Sequence, residues 1–103
     1  MSFIILYITN PSKEVAEKVA NHLLEKRLVA CVNIFPIESM YWWKDKIEKA
    51  EEFVIIAKTL EEKYEQVKKE IRKIYHYEIP CIIKISADIN KDYLKWVDEE
   101  VKK

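Results

Sequence analysis

Apolar and polar positions alternate along this chain in two rhythms, one suited to strands and one to helices. Phe3 to Thr9 reads FIILYIT, apolar on consecutive positions, which predicts a strand buried on both faces. Asn10 and Pro11 end it. Asn10 suits a helix cap, and Pro11 suits a first helical position, where its missing N–H costs nothing. Val15, Val19 and Leu23 then recur at i, i+4 and i+8, with Ala16, Ala20 and Leu24 beside them. Lys13, Glu17, Lys18, Asn21 and Glu25 lie mostly opposite, so the spacing predicts an amphipathic helix running to about Arg27.

Val29 to Thr59 is the stretch around which the rest is organised. β-Branched and aromatic residues fill both of its arms, and such residues fit a pleated, half-buried surface. The pattern predicts two strands joined by a polar tip at Lys44-Asp45-Lys46. Each arm is about twice the usual strand length, so the outer half of the ribbon is expected to project from a small domain and pack on something else. Thr59-Leu60-Glu61-Glu62 has the spacing of a capping box. Tyr64, Val67, Ile71 and Ile74 follow at helical spacing. Tyr75-His76-Tyr77-Glu78 connects to a strand at Cys81–Ile85, with Pro80 at its start, a tolerated place. Asn90 is placed to cap a last short helix with Tyr93, Leu94, Val97 and Val101 on one side.

The order strand-helix-strand, strand-helix-strand, helix predicts an α+β, ferredoxin-like sandwich: βαββαβ plus a C-terminal helix, with a long hairpin between the second and third strands. Right-handed crossovers put both main helices on one sheet face. Three strands are nonetheless apolar on consecutive residues, so the second face is expected to be apolar and uncovered within one chain. A patch of that kind marks an interface, and the prediction is a closed homo-oligomer.

The chain has 103 residues, enough for one domain over 1–103 with a modest core. Lys plus Arg and Asp plus Glu are both 18, and this balance offers no field for nucleic acid or an anionic membrane. No apolar run approaches a membrane span, and Met1-Ser2-Phe3-Ile4-Ile5 lacks the features of a signal peptide; a cytoplasmic location is the expectation. Cys31 and Cys81 form no CxxC pair and are expected as free thiols that pack as small hydrophobes. With no glycine in the chain, neither a P-loop nor a dinucleotide fingerprint can exist. The glycine-bearing loop and first-helix arginine of acylphosphatases, which share the fold class, are also missing at Asn10-Pro11-Ser12-Lys13. Scarce glutamine and abundant Lys, Glu and Ile lean towards heat adaptation.

Candidate chemistry is sparse. His76 and Glu78, two apart in an extended connector, are candidate metal ligands for a weak site. Glu52 and Lys58 lie six apart in one strand and so share a face; with Glu78 they are candidates for a polar cleft between subunits. Tyr41, Trp42, Trp43 and Trp96 are candidate oligomer anchors rather than base-stacking groups, because no basic groove accompanies them. His22, near the polar edge of its helix, reads as a solvated histidine.

Ala30-Cys31-Val32-Asn33-Ile34 followed by Pro36, Ser39, Tyr41 and Trp43 resembles the signature of the CutA-type divalent-cation tolerance proteins. The similarity continues through Ile47, Glu52 and Lys58-Thr59, resumes at Tyr77-Glu78-Ile79-Pro80 and ends at Tyr93-Leu94-Lys95-Trp96, with Thr9 and Pro11 also fitting. The resemblance implies a ferredoxin-like subunit in a tight, PII-like trimer. It implies a cytoplasmic protein linked to tolerance of copper and other divalent cations, binding copper or another divalent cation weakly, with no enzymatic reaction. A PII-like sensor of a small anionic ligand at the intersubunit cleft is the alternative. The chain departs from the family at Asp45, where a glycine is usual. It departs again at Tyr75, where a His is expected and His76 stands one position on. A third departure is Ile8, where some members carry a Cys proposed to bind copper.

Overall fold

A computed structural model provides the architecture, described here for residues 1–74 and 77–103. The elements run β1 (Phe3–Asn10), α1 (Lys13–Glu25), β2 (Cys31–Trp43), β3 (Lys46–Leu60), a 3₁₀ turn (Glu61–Lys63), α2 (Tyr64–Ile74), β4 (Ile82–Ser86) and α3 (Lys91–Val101). The four strands form one antiparallel sheet in the order β2-β3-β1-β4. This is the ferredoxin-like α+β arrangement that the element order predicts.

The two-residue period of β1 decides the core. Ile4, Leu6 and Ile8 point to one face, where Ile55 and Ala57 of β3 join them, and all are 1% exposed or less. Ala16, Val19 and Leu23 of α1 and Val67 and Ile71 of α2 close over this layer. Burying each large aliphatic side chain contributes about 1.5–3 kcal/mol, so this layer dominates the stability of the subunit.

The opposite face is not bare, which corrects the expectation from patterning. α3 lies on it: Val97 and Val101 pack against Phe3 and Leu60, which are cross-strand partners of β1 and β3. The correction has a physical cause, since the apolar stripe of a short C-terminal helix needs a partner and this end of the sheet supplies one. Farther along, Phe35, Ile83 and Ile85 remain 39–46% exposed.

Several local expectations are also revised. Asn10 is not a cap; it ends β1, fully buried, and its Nδ2 donates to the Ile8 and Phe53 carbonyls. Ser12 caps α1 instead, its hydroxyl accepting from the Val15 N–H at 3.1 Å. The Thr59-x-x-Glu62 spacing is not a capping box, because Thr59 lies in β3 and its hydroxyl donates to the Leu28 carbonyl at 2.7 Å. Asn90 stands at the N-cap of α3 without a side-chain bond to the helix backbone, its amide donating to Asp92. The last strand is one residue later than predicted. α1 ends two residues sooner, in a Schellman motif: the N–H of Leu28 reaches Leu23 and that of Arg27 reaches Leu24.

The hairpin turns at Lys44-Asp45, with φ of 49° and 66°, the left-handed pair that a two-residue turn requires. β1 stops pairing with β3 at Phe53, whereas β2 follows β3 out to Trp43 opposite Lys46. Residues 46–52 of β3 therefore pair with β2 alone, and the ribbon projects as its length predicts. It accounts for a subunit 45 Å long but only 21–25 Å across.

Candidate functional site

The candidate site lies where the ribbon leaves the three-strand part of the sheet. Glu52 is the first residue of β3 beyond the last β1 pair, and it faces Ile37 across the hairpin. The connector after α2 returns to this point. Tyr77 packs against the main core, and its hydroxyl donates to Glu52 Oε2 at 2.7 Å. Glu52 is only 9% exposed. A carboxylate that nearly buried stays there only if its oxygens are bonded, since an unpaired buried charge is costly. It offers about four lone-pair positions, so the Tyr77 bond leaves capacity for a cation or a further donor. Glu78 follows directly and is exposed. His76, its partner in the sequence reading, lies outside the described residues. The structure thus brings Glu52 to the connector beside the Tyr77-Glu78 step.

Lys58 is not part of this group within one chain. It pairs in register with Cys31, six residues from Glu52, or about 20 Å at strand rise. Its ammonium lies 3.9 Å from Cys31 Sγ and 5.5 Å from the centre of the Tyr93 ring on α3. Loss of solvent around the Tyr93 phenol, and then the neighbouring Cys31 thiol, raise its pKa above the ordinary tyrosine value. This three-residue cluster escaped the sequence reading. A two-residue turn at Lys44-Asp45 fixes Cys31 opposite Lys58 by counting back from the tip, but a three-residue tip does not. Tyr93 could be added only once α3 was known to cover that face. Cys31 and Cys81 are both free and half-buried.

The aromatic candidates divide as well. Tyr41 and Trp42 are exposed on the ribbon, Trp42 at 73%, near the exposed Met40 and Ile47. Trp43 is half-buried, with the Lys44 ammonium 5.9 Å from its ring centre. Trp96 sits at the other end of the subunit on α3, edge-on to Tyr93 at 5.3 Å.

His22 corrects its solvated reading. Its Nε2 lies 2.7 Å from Glu70 Oε1, and a carboxylate only accepts, so the Nε2 carries the proton. Lys73 bonds the other oxygen at 2.9 Å and Lys26 stands 3.6 Å away. The Lys73 bond, then the His22 bond, hold the Glu70 carboxyl at about 2. Glu70 is 5% exposed, and the cluster ties α1 to α2.

Among the described residues no three His, Cys, Asp or Glu side chains converge as a metal-binding group. The oxygen donors that the connector end offers are Glu52, bonded by Tyr77, and the exposed Glu78 that follows Tyr77 in sequence. That set suits hard divalent cations, and an imidazole would extend it to copper or zinc. Among the described residues no helix is long and apolar enough to cross a membrane.

Comparison with known proteins bears on this site. Residues 4–100 match the family described as CutA1 divalent ion tolerance protein. The divalent-cation tolerance protein CutA of Archaeoglobus fulgidus is 50% identical over 97 residues, covering 93% of this chain and 95% of the relative. That of Pyrococcus horikoshii is 46% identical over 101 residues, covering 97% and 99%. The solved structure of the periplasmic divalent cation tolerance protein CutA from Archaeoglobus fulgidus superposes with a TM-score of 0.93 at 49% identity, over 96% of this chain and 98% of that one.

Proposed function

Because the chain belongs to the CutA1 divalent ion tolerance protein family, we propose that it acts in tolerance of divalent cations, copper among them, by binding the ion weakly and without catalysis. The observation that carries this reading is the Glu52 carboxylate, kept nearly dry at the connector and accepting from the hydroxyl of Tyr77, the residue before Glu78. Glu52 and Glu78 supply oxygen in this proposal, and His76 supplies the softer donor that copper prefers. One chain offers too few donors for a firm site, and a homotrimer would multiply them. The projecting ribbon supports such an assembly: Tyr41, Trp42 and Trp43 are the groups we expect to bury there, with Trp96 contributing from the opposite end. Two free thiols fit a reducing compartment, and we place the protein in the cytoplasm. Cell fractionation decides between that and the periplasm, the compartment in the name of the Archaeoglobus structure.

A second reading rests on Lys58, a half-buried cation that has no carboxylate partner among the described residues. Such a group suits a PII-like sensor of a small anionic ligand in the cleft between subunits. Thermal denaturation separates the two, because a ligand bound only by the folded state raises the melting temperature by mass action. The first reading predicts a rise with Cu(II) that Glu52→Gln and Glu78→Gln both reduce. A rise with a nucleotide or carboxylate metabolite, lost in Lys58→Met and absent with Cu(II), would favour the second.

A further inference from the structure

From the juxtaposition of the Cys31 sulfur and the Lys58 ammonium beneath the Tyr93 ring, we propose that Cys31 is a peroxide-reactive thiol that closes into a sulfur–nitrogen crosslink with Lys58. The inference rests on geometry that the cation reading does not use. Cys31 opens β2, an edge strand, and is half-buried rather than sealed in the core. Lys58 is its direct cross-strand partner, and its Nζ is already 3.9 Å from Sγ. The Tyr93 ring comes over the Lys58 ammonium from α3, with the ring centre 5.5 Å away. A cation therefore stands beside a partly accessible sulfur, a setting that favours nucleophilic sulfur chemistry. Cys81 is the internal comparison: it is equally half-buried, and it sits beyond the far edge of the sheet, where its carbonyl accepts from Thr9.

The chemistry balances with hydrogen peroxide as the oxidant. The Cys31 thiolate attacks one peroxide oxygen, and an S–O bond forms as the O–O bond breaks. The departing hydroxide takes a proton from the Lys58 ammonium and leaves as water. Sulfur is now a sulfenic acid, oxidised by two electrons, and peroxide is reduced. Lys58, left as a neutral amine, attacks that sulfur. An S–N bond forms, the S–O bond breaks, and the hydroxyl leaves as a second water with a proton from the nitrogen. Sulfenic acids condense with nitrogen in this way, and thiols reverse the product. Lys58 is held across the strand and Cys31 cannot reach Cys81 in its own chain, so the amine is the resolving group at hand.

Intact-mass and peptide mass spectrometry of the folded protein after hydrogen peroxide test this, with and without subsequent dithiothreitol. The expected result is a species lighter by about 2 Da that dithiothreitol restores. Peptide mapping should join the segments around Cys31 and Lys58, and trypsin should fail to cut after Lys58. Cys81→Ser should keep this species, whereas Cys31→Ser should lose it. Lys58→Arg, which keeps the cation but removes the primary amine, should stop at a Cys31 adduct heavier by about 16 Da. The proposal is overturned if the lighter species disappears in Cys81→Ser, persists in Lys58→Arg, or never forms while Cys81 oxidises first.

Discussion

A chain without glycine must still turn left-handed where its geometry demands it. Arg27, Lys44 and Asp45 take φ of 59°, 49° and 66°. A side chain in that region costs about 1–2 kcal/mol, so each of these positions is held by its surroundings. At Arg27 the Schellman bonds do so, together with a guanidinium–Glu100 pair at 2.9 Å that ties the end of α1 to α3. The pair is half-exposed and contributes less than about 1 kcal/mol. Arg27→Ala and Arg27→Gly both lose it but differ at the backbone. Urea denaturation at one protein concentration should find the alanine variant less stable than the glycine variant by about 1 kcal/mol. Thr59 offers a second check, because its buried hydroxyl satisfies the Leu28 carbonyl. Thr59→Val leaves that carbonyl unmatched and should cost about 1–3 kcal/mol in the same assay. Neither role was legible in the sequence: Arg27 looked like a helix end and Thr59 like a cap, since both patterns recur locally and only tertiary contacts distinguish them.

At the scale of elements, periodicity located every helix and strand, because one-faced burial leaves a direct imprint on spacing. What it could not supply was the pairing of helix against helix. His22 and Glu70 lie 48 residues apart in sequence, and nothing in either helix announces the other. Their link makes a pH prediction. The Glu70 carboxyl falls from 4.5 to about 2 on folding, through Lys73 first and His22 second. A lowered carboxyl contributes stability that is complete above the unfolded value and is lost as pH falls through the folded one. Melting curves should therefore show Glu70→Gln less stable than the parent at neutral pH, with the gap narrowing between pH 4.5 and about 2. A gap constant across that window would mean that the carboxylate does not hold α1 to α2. The hairpin was more legible than its chemistry. Its length and projection followed from the apolar run, while the register that sets Lys58 against Cys31 depended on a turn one residue shorter than the polar tip implied.

For the molecule as a whole, the sequence overstated the bare face of the sheet, because a short amphipathic helix at the C-terminus could have packed on either side. α3 takes one end of that face, while Phe35, Ile83, Ile85 and the ribbon residues Met40, Trp42 and Ile47 stay open. An assembly of three copies would cover them, and light scattering at micromolar concentration should return three chain masses; one chain mass would remove the trimer from the account. Of the candidate site, Glu52 and Glu78 were named from the sequence, but the burial of Glu52 under Tyr77 needed the fold. The central claim is that this connector end takes a divalent cation. The most direct test is a calorimetric titration of Cu(II) into metal-stripped protein at neutral pH. We predict saturable binding near one or one-third ion per chain, weakened in His76→Ala and in Glu52→Gln. Heats that never saturate, or binding that both variants leave unchanged, would contradict it.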